Sequence, residues 1–226
     1  MSNSTTPIVI GFAAKKRHGK NAAARLFRSI GMPRGYTVIE RGFADALKEE
    51  CARAIAEYHP TKNYVKILSE MYQDERKEEY RLLMQWWGTN FRRAQNSTYW
   101  LDRMDEWIGA NAYNTPNTII CLTDVRFPNE VEFIKNNQRA NHFTGHMVKI
   151  LRTDLPPETD THSSETALDG YTNWDATITN TVDPDDLERS LGWLKRDVDR
   201  VFHQITNPAF GVKNAHHSEL VWEAWR

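Results

Sequence analysis

Gly11-Phe12-Ala13-Ala14-Lys15-Lys16-Arg17-His18-Gly19-Lys20-Asn21 is the stretch on which the fold turns. Ahead of it, Pro7-Ile8-Val9-Ile10 is a short apolar, β-branched run that predicts a strand. Behind it, Ala22-Ala23-Ala24-Arg25-Leu26-Phe27 is helix-prone. Strand, loop and helix in that order are the context of a phosphate-binding loop. In such a loop backbone N–H groups wrap an anion, the helix start adds the positive end of its dipole, and Lys20 supplies a mobile cation. Two positions depart from G-x-x-x-x-G-K-[ST]: Ala14 replaces the first Gly, and Asn21 stands where a hydroxyl usually binds Mg²⁺. Alanine serves if that residue needs no positive φ, whereas an amide oxygen is a weaker metal ligand. The competing reading is an ordinary basic turn between a strand and a helix.

The 226 residues suit one domain with an inserted or appended subdomain, and a 40% hydrophobic content with 11% aromatics can fill a core. A net charge of -1 offers no global field for nucleic acid, so an anion site must be a local Arg/Lys cluster and small anions suit better than a duplex. Cys51 and Cys121 are far apart and outside any ligand-spaced cluster, which predicts neither disulfide nor zinc and makes the cytoplasm the expected compartment. No apolar run near the start reaches the ~20 residues of a membrane span.

A helix over about Asn21–Ile30 meets the breakers Gly31-Met32-Pro33-Arg34-Gly35, and Thr37–Phe43 reads as a second strand. Asp45 then caps a helix over Ala46–Tyr58 or serves as a ligand. Lys66–Tyr113 has no strand pattern. Ile67, Leu68, Met71, Tyr72, Leu82, Leu83, Trp86 and Trp87 recur there at helical spacing, so the segment is a helical insertion. Its Arg76, Arg81, Arg92 and Arg93 could hold an anion or line a solvated face. A further helix follows Ser97 and ends near Ala112. Thr118–Thr123 has the continuous apolar pattern of a strand buried on both faces, with Asp124 at its carboxyl end and Arg126 two residues on. Pro128-Asn129-Glu130 opens a helix, His146–Leu151 is a strand ended by Arg152, and Ala176–Thr179 is a last short strand before a helix over Asp185–Phe202. Between them, residues 153–174 form a long polar loop of the kind that acts as a lid. The alternation predicts an α/β fold with a parallel sheet of about five strands and ligands at their carboxyl ends.

Set side by side, these stretches resemble the phage-type deoxynucleoside monophosphate kinases, a P-loop family. The blocks run in order. They are Lys16-Arg17-His18-Gly19-Lys20-Asn21, Phe43-Ala44-Asp45-Ala46-Leu47-Lys48-Glu49, Arg81-Leu82-Leu83-Met84-Gln85-Trp86-Trp87-Gly88-Thr89 and Tyr99-Trp100. Asp124-Val125-Arg126-Phe127-Pro128-Asn129-Glu130, Asp160-Thr161-His162-Ser163-Ser164-Glu165 and Ile178-Thr179-Asn180 complete the set. The resemblance implies a three-layer P-loop fold over residues 1–202, with an acceptor-binding helical insertion at about 60–113, a lid at about 153–174 and a tail over 203–226. It implies ATP-dependent phosphorylation of deoxynucleoside 5′-monophosphates with Mg²⁺ and no covalent intermediate.

Under that resemblance Ala14, Lys16, His18, Gly19, Lys20, Asn21 and Ala22 cradle the donor, Asn180 lies near its adenine, and Asp124, with Asn21, organises the metal. Lys20, Arg17, Asp124, Arg126 and Arg152 carry the chemistry. Asp45, Lys48, Arg81, Gln85, Thr89, Trp100 and Glu165 face the acceptor. On burial habits alone, Trp86, Trp87 and Trp100 read as core before base-stacking platforms. The lid contains neither Arg nor Lys, so cations for the transferring group are expected from Arg17, Arg126 and Arg152. Two other functions are weighed: a nucleotide-binding module without turnover, motivated by Ala14 and Asn21, and a kinase of a modified base within DNA. Trp222 and Trp225 in the tail pack on a sister subunit, giving a homodimer, or on the chain's own surface.

Overall fold

Ile8-Val9-Ile10-Gly11-Phe12-Ala13 makes the central strand β1 (Ile8–Ala13), buried from Val9 onward. A strand apolar on both faces must be covered on both, and in this chain helices do so. The computed structural model describes residues 6–59, 61–73, 75–112, 115–136, 143–152, 154–156 and 166–207. β1 pairs with β3 (Thr118–Leu122) on one side and with β4 (Thr144–Leu151) on the other. β2 (Thr37–Arg41) lies outside β3, and β5 (Ala176–Thr179) outside β4. All pairings are parallel, and the five strands run in the order β2-β3-β1-β4-β5. The chain leaves β1 toward one edge and later returns to build the other, so the ligand crevice expected of such sheets opens at the carboxyl end of β1.

One face of the sheet is covered by α1 (Lys20–Gly31) and α7 (Leu187–Thr206). Phe12, Phe27, Phe202, Val148, Ile150 and Ile178 fill that layer, with Phe27 5.5 Å from the ring of Phe12 and 5.6 Å from that of Phe202. The other face carries α5 (Tyr99–Ala112) and α6 (Pro128–Asn136) over Val9, Ile120, Leu122 and Met147. Here α6 sits directly on the backbone of β4. A Cβ on Gly145 would lie 1.7 Å from the Ile134 carbonyl oxygen, so only glycine permits this contact.

Between β2 and β3 the chain is helical, as its periodicity predicts. α2 (Phe43–Tyr58), α3 (Tyr64–Tyr72) and α4 (Arg81–Gln85) enclose a satellite core of Cys51, Ala52, Ile67 and Met71. α4 runs on into an eight-residue π-helical turn, Trp86–Arg93. Such turns interrupt regular helices chiefly at functional sites. Both cysteines are buried free thiols in separate cores, and burial pushes the Cys51 thiol up to about 12. Among the described residues no helix is long and apolar enough to cross a membrane.

Several boundaries differ from expectation; β2 ends at Arg41 rather than Phe43, and α7 runs on to Thr206 rather than Phe202. α2 begins at Phe43 rather than Ala46, so Asp45 lies inside the helix as its third residue and accepts a hydrogen bond from Gly42 N at 2.7 Å. β4 begins at Thr144, and α7 starts after Asp186, whose carboxylate accepts from Arg189 N at 2.8 Å. Thr153, residues 157–165 and the tail from 208 onward, including Trp222 and Trp225, lie outside the described residues.

Candidate functional site

The loop between β1 and α1 is a tight basic nest. Arg17 (φ 66°) and Gly19 (φ 94°) both adopt the left-handed conformation, which turns successive N–H groups inward. Gly19 is the N-cap of α1 and makes no side-chain cap, and the first turn of the helix carries no acid. Its N–H donors and dipole therefore face the loop with no acid of the helix's own first turn to offset them. Lys20 Nζ folds back to donate to the Ala14 carbonyl at 3.1 Å, and Asn180 Nδ2 donates to His18 O at 3.0 Å. Asn180 is 8% exposed, so its amide fastens the loop to the end of β5. His18 Nδ1 lies 3.3 Å from Arg152 N and 3.4 Å from Ile150 O, accepting from the first in one tautomer and donating to the second in the other. Lys16, Arg17 and Asn21 are exposed, while Ala22 packs against the core.

Asp124 follows β3 at its carboxyl end and is partly buried. Its Oδ1 accepts from Phe43 N and its Oδ2 from Ala44 N, both at 2.8 Å, so it caps α2 across 80 residues of sequence. Burial pushes its carboxyl above the usual range, and the two N–H donors and Lys20 oppose that rise. Gly42 makes the approach feasible, since a Cβ there would sit 2.8 Å from Asp124 Oδ2. In the same turn Glu130, 2% exposed, accepts from Arg126 N at 2.7 Å and Phe127 N at 3.1 Å. Arg93, the last residue of the π-helical turn, donates to Glu130 Oε1 at 3.1 Å and stacks 4.6 Å from the Phe127 ring centroid. Burial dominates and raises the Glu130 carboxyl to about 7.

A cavity of about 210 Å³ opens where β1, β3 and β4 end. The loop contributes Ala14, Lys15 and His18, the β3 turn Arg126, and β4 Lys149. Leu168, Asp169 and Trp174 line it from the segment that precedes β5. Lys15 forms an ion pair with Asp169, joining the loop to that segment. Arg152 is turned elsewhere: its guanidinium grips Asp154 at 2.8 and 3.0 Å and reaches Arg17 O at 3.5 Å. Lys149, Lys15 and Asp169 line this cavity without having been expected from the sequence. Lys149 left a signal, a lone charge within the otherwise apolar Met147-Val148-Lys149-Ile150-Leu151.

The residues expected at an acceptor site divide. Asp45 and Lys48 are drawn together in a polar knot, Asp45 Oδ1 accepting from Tyr72 OH at 2.9 Å and from Lys48 Nζ at 3.4 Å. Lys48 Nζ also lies 3.9 Å from the Tyr72 ring centroid. Gln85 and Thr89 are exposed at α4 and the π-helical turn. Arg81 lies on an exposed surface, paired with Glu78 at 3.2 Å. Trp100 is a correction: it is 4% exposed, and its indole N–H is consumed by Gly88 O at 3.1 Å, so it props the π-helical turn from within. Trp86 departs from the core expectation in the opposite sense, being 53% exposed and stacked on Phe91 at 5.6 Å. Glu165 lies outside the described residues.

Among the described residues no three His, Cys, Asp or Glu side chains converge as a metal cage. The donor set instead suits an ion held mainly by nucleotide phosphates and water. Asp124 supplies one carboxylate near Lys20, with lone pairs left beyond the two that cap α2.

Comparison with known proteins returns one curated relative. It is the "Putative deoxynucleotide monophosphate kinase" of Acanthamoeba polyphaga mimivirus, 26% identical over 188 residues, covering 76% of this chain and 88% of that protein. No protein-family model matches. Among solved structures, "Crystal structure of APE1195" aligns with 89% of this chain and 99% of that one at 11% identity and a TM-score of 0.41, too loose a likeness to carry an argument.

Proposed function

We propose that this chain transfers the γ-phosphoryl group of ATP to the 5′-phosphate of a deoxynucleoside monophosphate. The observation that carries the reading is the loop of residues 14–19. It lies at the carboxyl end of the central strand, turned inward by Arg17 and Gly19, closed by Lys20 and pinned by Asn180. The name of the mimivirus relative, "Putative deoxynucleotide monophosphate kinase", supports the acceptor class. Residues 1–202 then act as one kinase domain, with the insertion at about 60–113 on the acceptor side and residues 153–174 as the lid.

In the reaction an oxygen of the acceptor phosphate forms a bond to Pγ while the Pγ–O bond to the β-phosphate breaks, its electron pair leaving with ADP. A dianionic acceptor has no proton to surrender, so no general base is required. The barrier comes from bringing anions together and holding them in line, and fixed cations and N–H dipoles lower it. Lys20, the loop N–H groups and the start of α1 hold the donor phosphates. Arg17 and Arg126 flank the transfer path. Mg²⁺, brought with the nucleotide and steadied by Asp124, would supply Lewis-acid neutralisation of the β- and γ-oxygens. Asp45, Lys48, Gln85 and Thr89 form the acceptor side, and Gln85 offers the paired donor and acceptor that base recognition needs.

The test is ADP release from ATP across the deoxynucleoside monophosphates, with modified pyrimidines and ribonucleotides alongside. Acceptor-dependent turnover with at least one deoxynucleotide is the expected result. Tight ATP binding with no turnover on any acceptor would refute the reading in favour of a binding module, and labelling of duplex DNA would assign the acceptor to polymer.

A further inference from the structure

Along β4 the side chains alternate between the two cores. Val148 and Ile150 belong to the layer under α1 and α7, and Met147 to the layer under α5 and α6. Lys149 therefore shares the face of Met147, one step nearer the carboxyl end, where the core stops and the cavity begins. Its register partner is Ala13, the last residue of β1 before the phosphate loop. The ammonium lies 5.7 Å from the centroid of Trp174, whose own N–H is held by Tyr171 O at 2.9 Å. An aromatic face steadies a cation in this way and leaves its three donors available. The neighbouring cations are otherwise engaged, Lys15 by Asp169 and Arg152 by Asp154. Among the described residues Lys149 meets no carboxylate.

A half-buried ammonium in a cavity costs free energy unless an anion or water meets it there. The cavity's other walls are the phosphate loop and Arg126, both suited to phosphate oxygens. We propose that Lys149 is a catalytic residue of the phosphoryl transfer, contacting oxygens of the γ-phosphoryl group and supplying the cation that the lid lacks. The proposal rests on the kinase reading. Lys149 balances charge on the non-bridging oxygens while the Pγ–O bond to ADP breaks and the bond to the acceptor forms, and it transfers no proton.

The test compares wild type, Lys149→Met and Lys149→Arg in single-turnover and steady-state ADP release, with melting curves of each. Methionine keeps an unbranched apolar stem against Trp174, so K149M should melt as wild type does. It should lose about a hundredfold or more in kcat with a smaller change in the KM for ATP. K149R, which restores a cation, should recover at least about tenfold of that loss. K149M within about threefold of wild type, or K149R no better than K149M, overturns the assignment. So does an activity loss that merely tracks lost folded protein. Wild type that binds ATP and never releases ADP with any acceptor brings down the kinase reading itself.

Discussion

Gly42→Ala tests whether Asp124 is held by the start of α2 in the way its contacts indicate. Gly42 has φ −125°, a conformation open to any residue, so alanine brings no backbone strain. Its Cβ would instead stand 2.8 Å from Asp124 Oδ2, 3.0 Å from Cγ and 3.1 Å from Oδ1. The carboxylate cannot yield freely, because each oxygen accepts a backbone N–H at 2.8 Å in a partly buried site. Moving it weakens two charge-assisted hydrogen bonds and crowds the core, about 1–3 kcal/mol. Asp124→Asn acts on the same contacts differently. One oxygen becomes an NH₂ group facing an N–H donor, a loss of about 2–4 kcal/mol, offset in part by removal of a partly buried charge. The assay is urea unfolding of G42A, D124A and the G42A/D124A pair. With the carboxylate gone the clash has no target, so G42A should cost less than about 0.5 kcal/mol in the D124A background. An equal cost of G42A in both backgrounds would refute the reasoning, as would D124N matching wild type.

Lys20→Met should cut kcat by at least about a hundredfold with little loss of stability, read from ADP release and melting curves, because its contact with Ala14 O is a single partly buried hydrogen bond. Asn180→Ala removes the bond to His18 O, about 0.5–1.5 kcal/mol, and should weaken ATP binding by about threefold to tenfold in calorimetry. Glu130 gives a pH signature: its folded carboxyl is raised to about 7 while the unfolded one ionises near ~4.3, so the folded state holds the extra proton between them. Stability from this group should fall as pH rises through that window, and the fall should be absent from Glu130→Gln in unfolding free energies measured at about one-unit steps. His146, lowered mainly by burial, contributes the opposite slope, its stabilisation being lost as pH falls, and it cancels in the comparison of E130Q with wild type.

The architecture was legible because the two inner strands Ile8-Val9-Ile10 and Thr118-Ile119-Ile120-Cys121-Leu122 are apolar runs and the shorter Ala176-Thr177-Ile178-Thr179 is rich in β-branched residues; all three appear as strands. The helical insertion was legible from its 3.6-residue period. What escaped depends on contacts between distant parts of the chain. The start of α2 is set by Asp124, 80 residues away, and nothing near Phe43 announces a cap of that kind. Burial habits place Trp100 in the core, as found, whereas its place on the acceptor side came from the resemblance alone and is lost to the bond its N–H makes with Gly88 O. Arg152 follows a strand end as a catalytic cation would, and Asp154, two residues on, claims it.

The turn after β3 explains why the cations of the site are spread over so many elements. Asp124 fastens the start of α2, and Glu130 fastens the backbone at Arg126 and Phe127 together with Arg93 from the π-helical turn. One acid therefore ties the helical segment between β2 and β3 to the sheet at the start of α2, and the second ties it at the π-helical turn. Arg93 pairs with a carboxylate that burial raises to about 7, so this anchor is held by a group that is only partly ionised near neutral pH and loosens as pH falls. On the kinase reading, movement of the insertion toward the loop at 14–19 would hinge on Asp124 and loosen first at Glu130. E130Q should then raise the KM for the acceptor more than that for ATP, whereas a change confined to ATP would place Glu130 with the donor side instead.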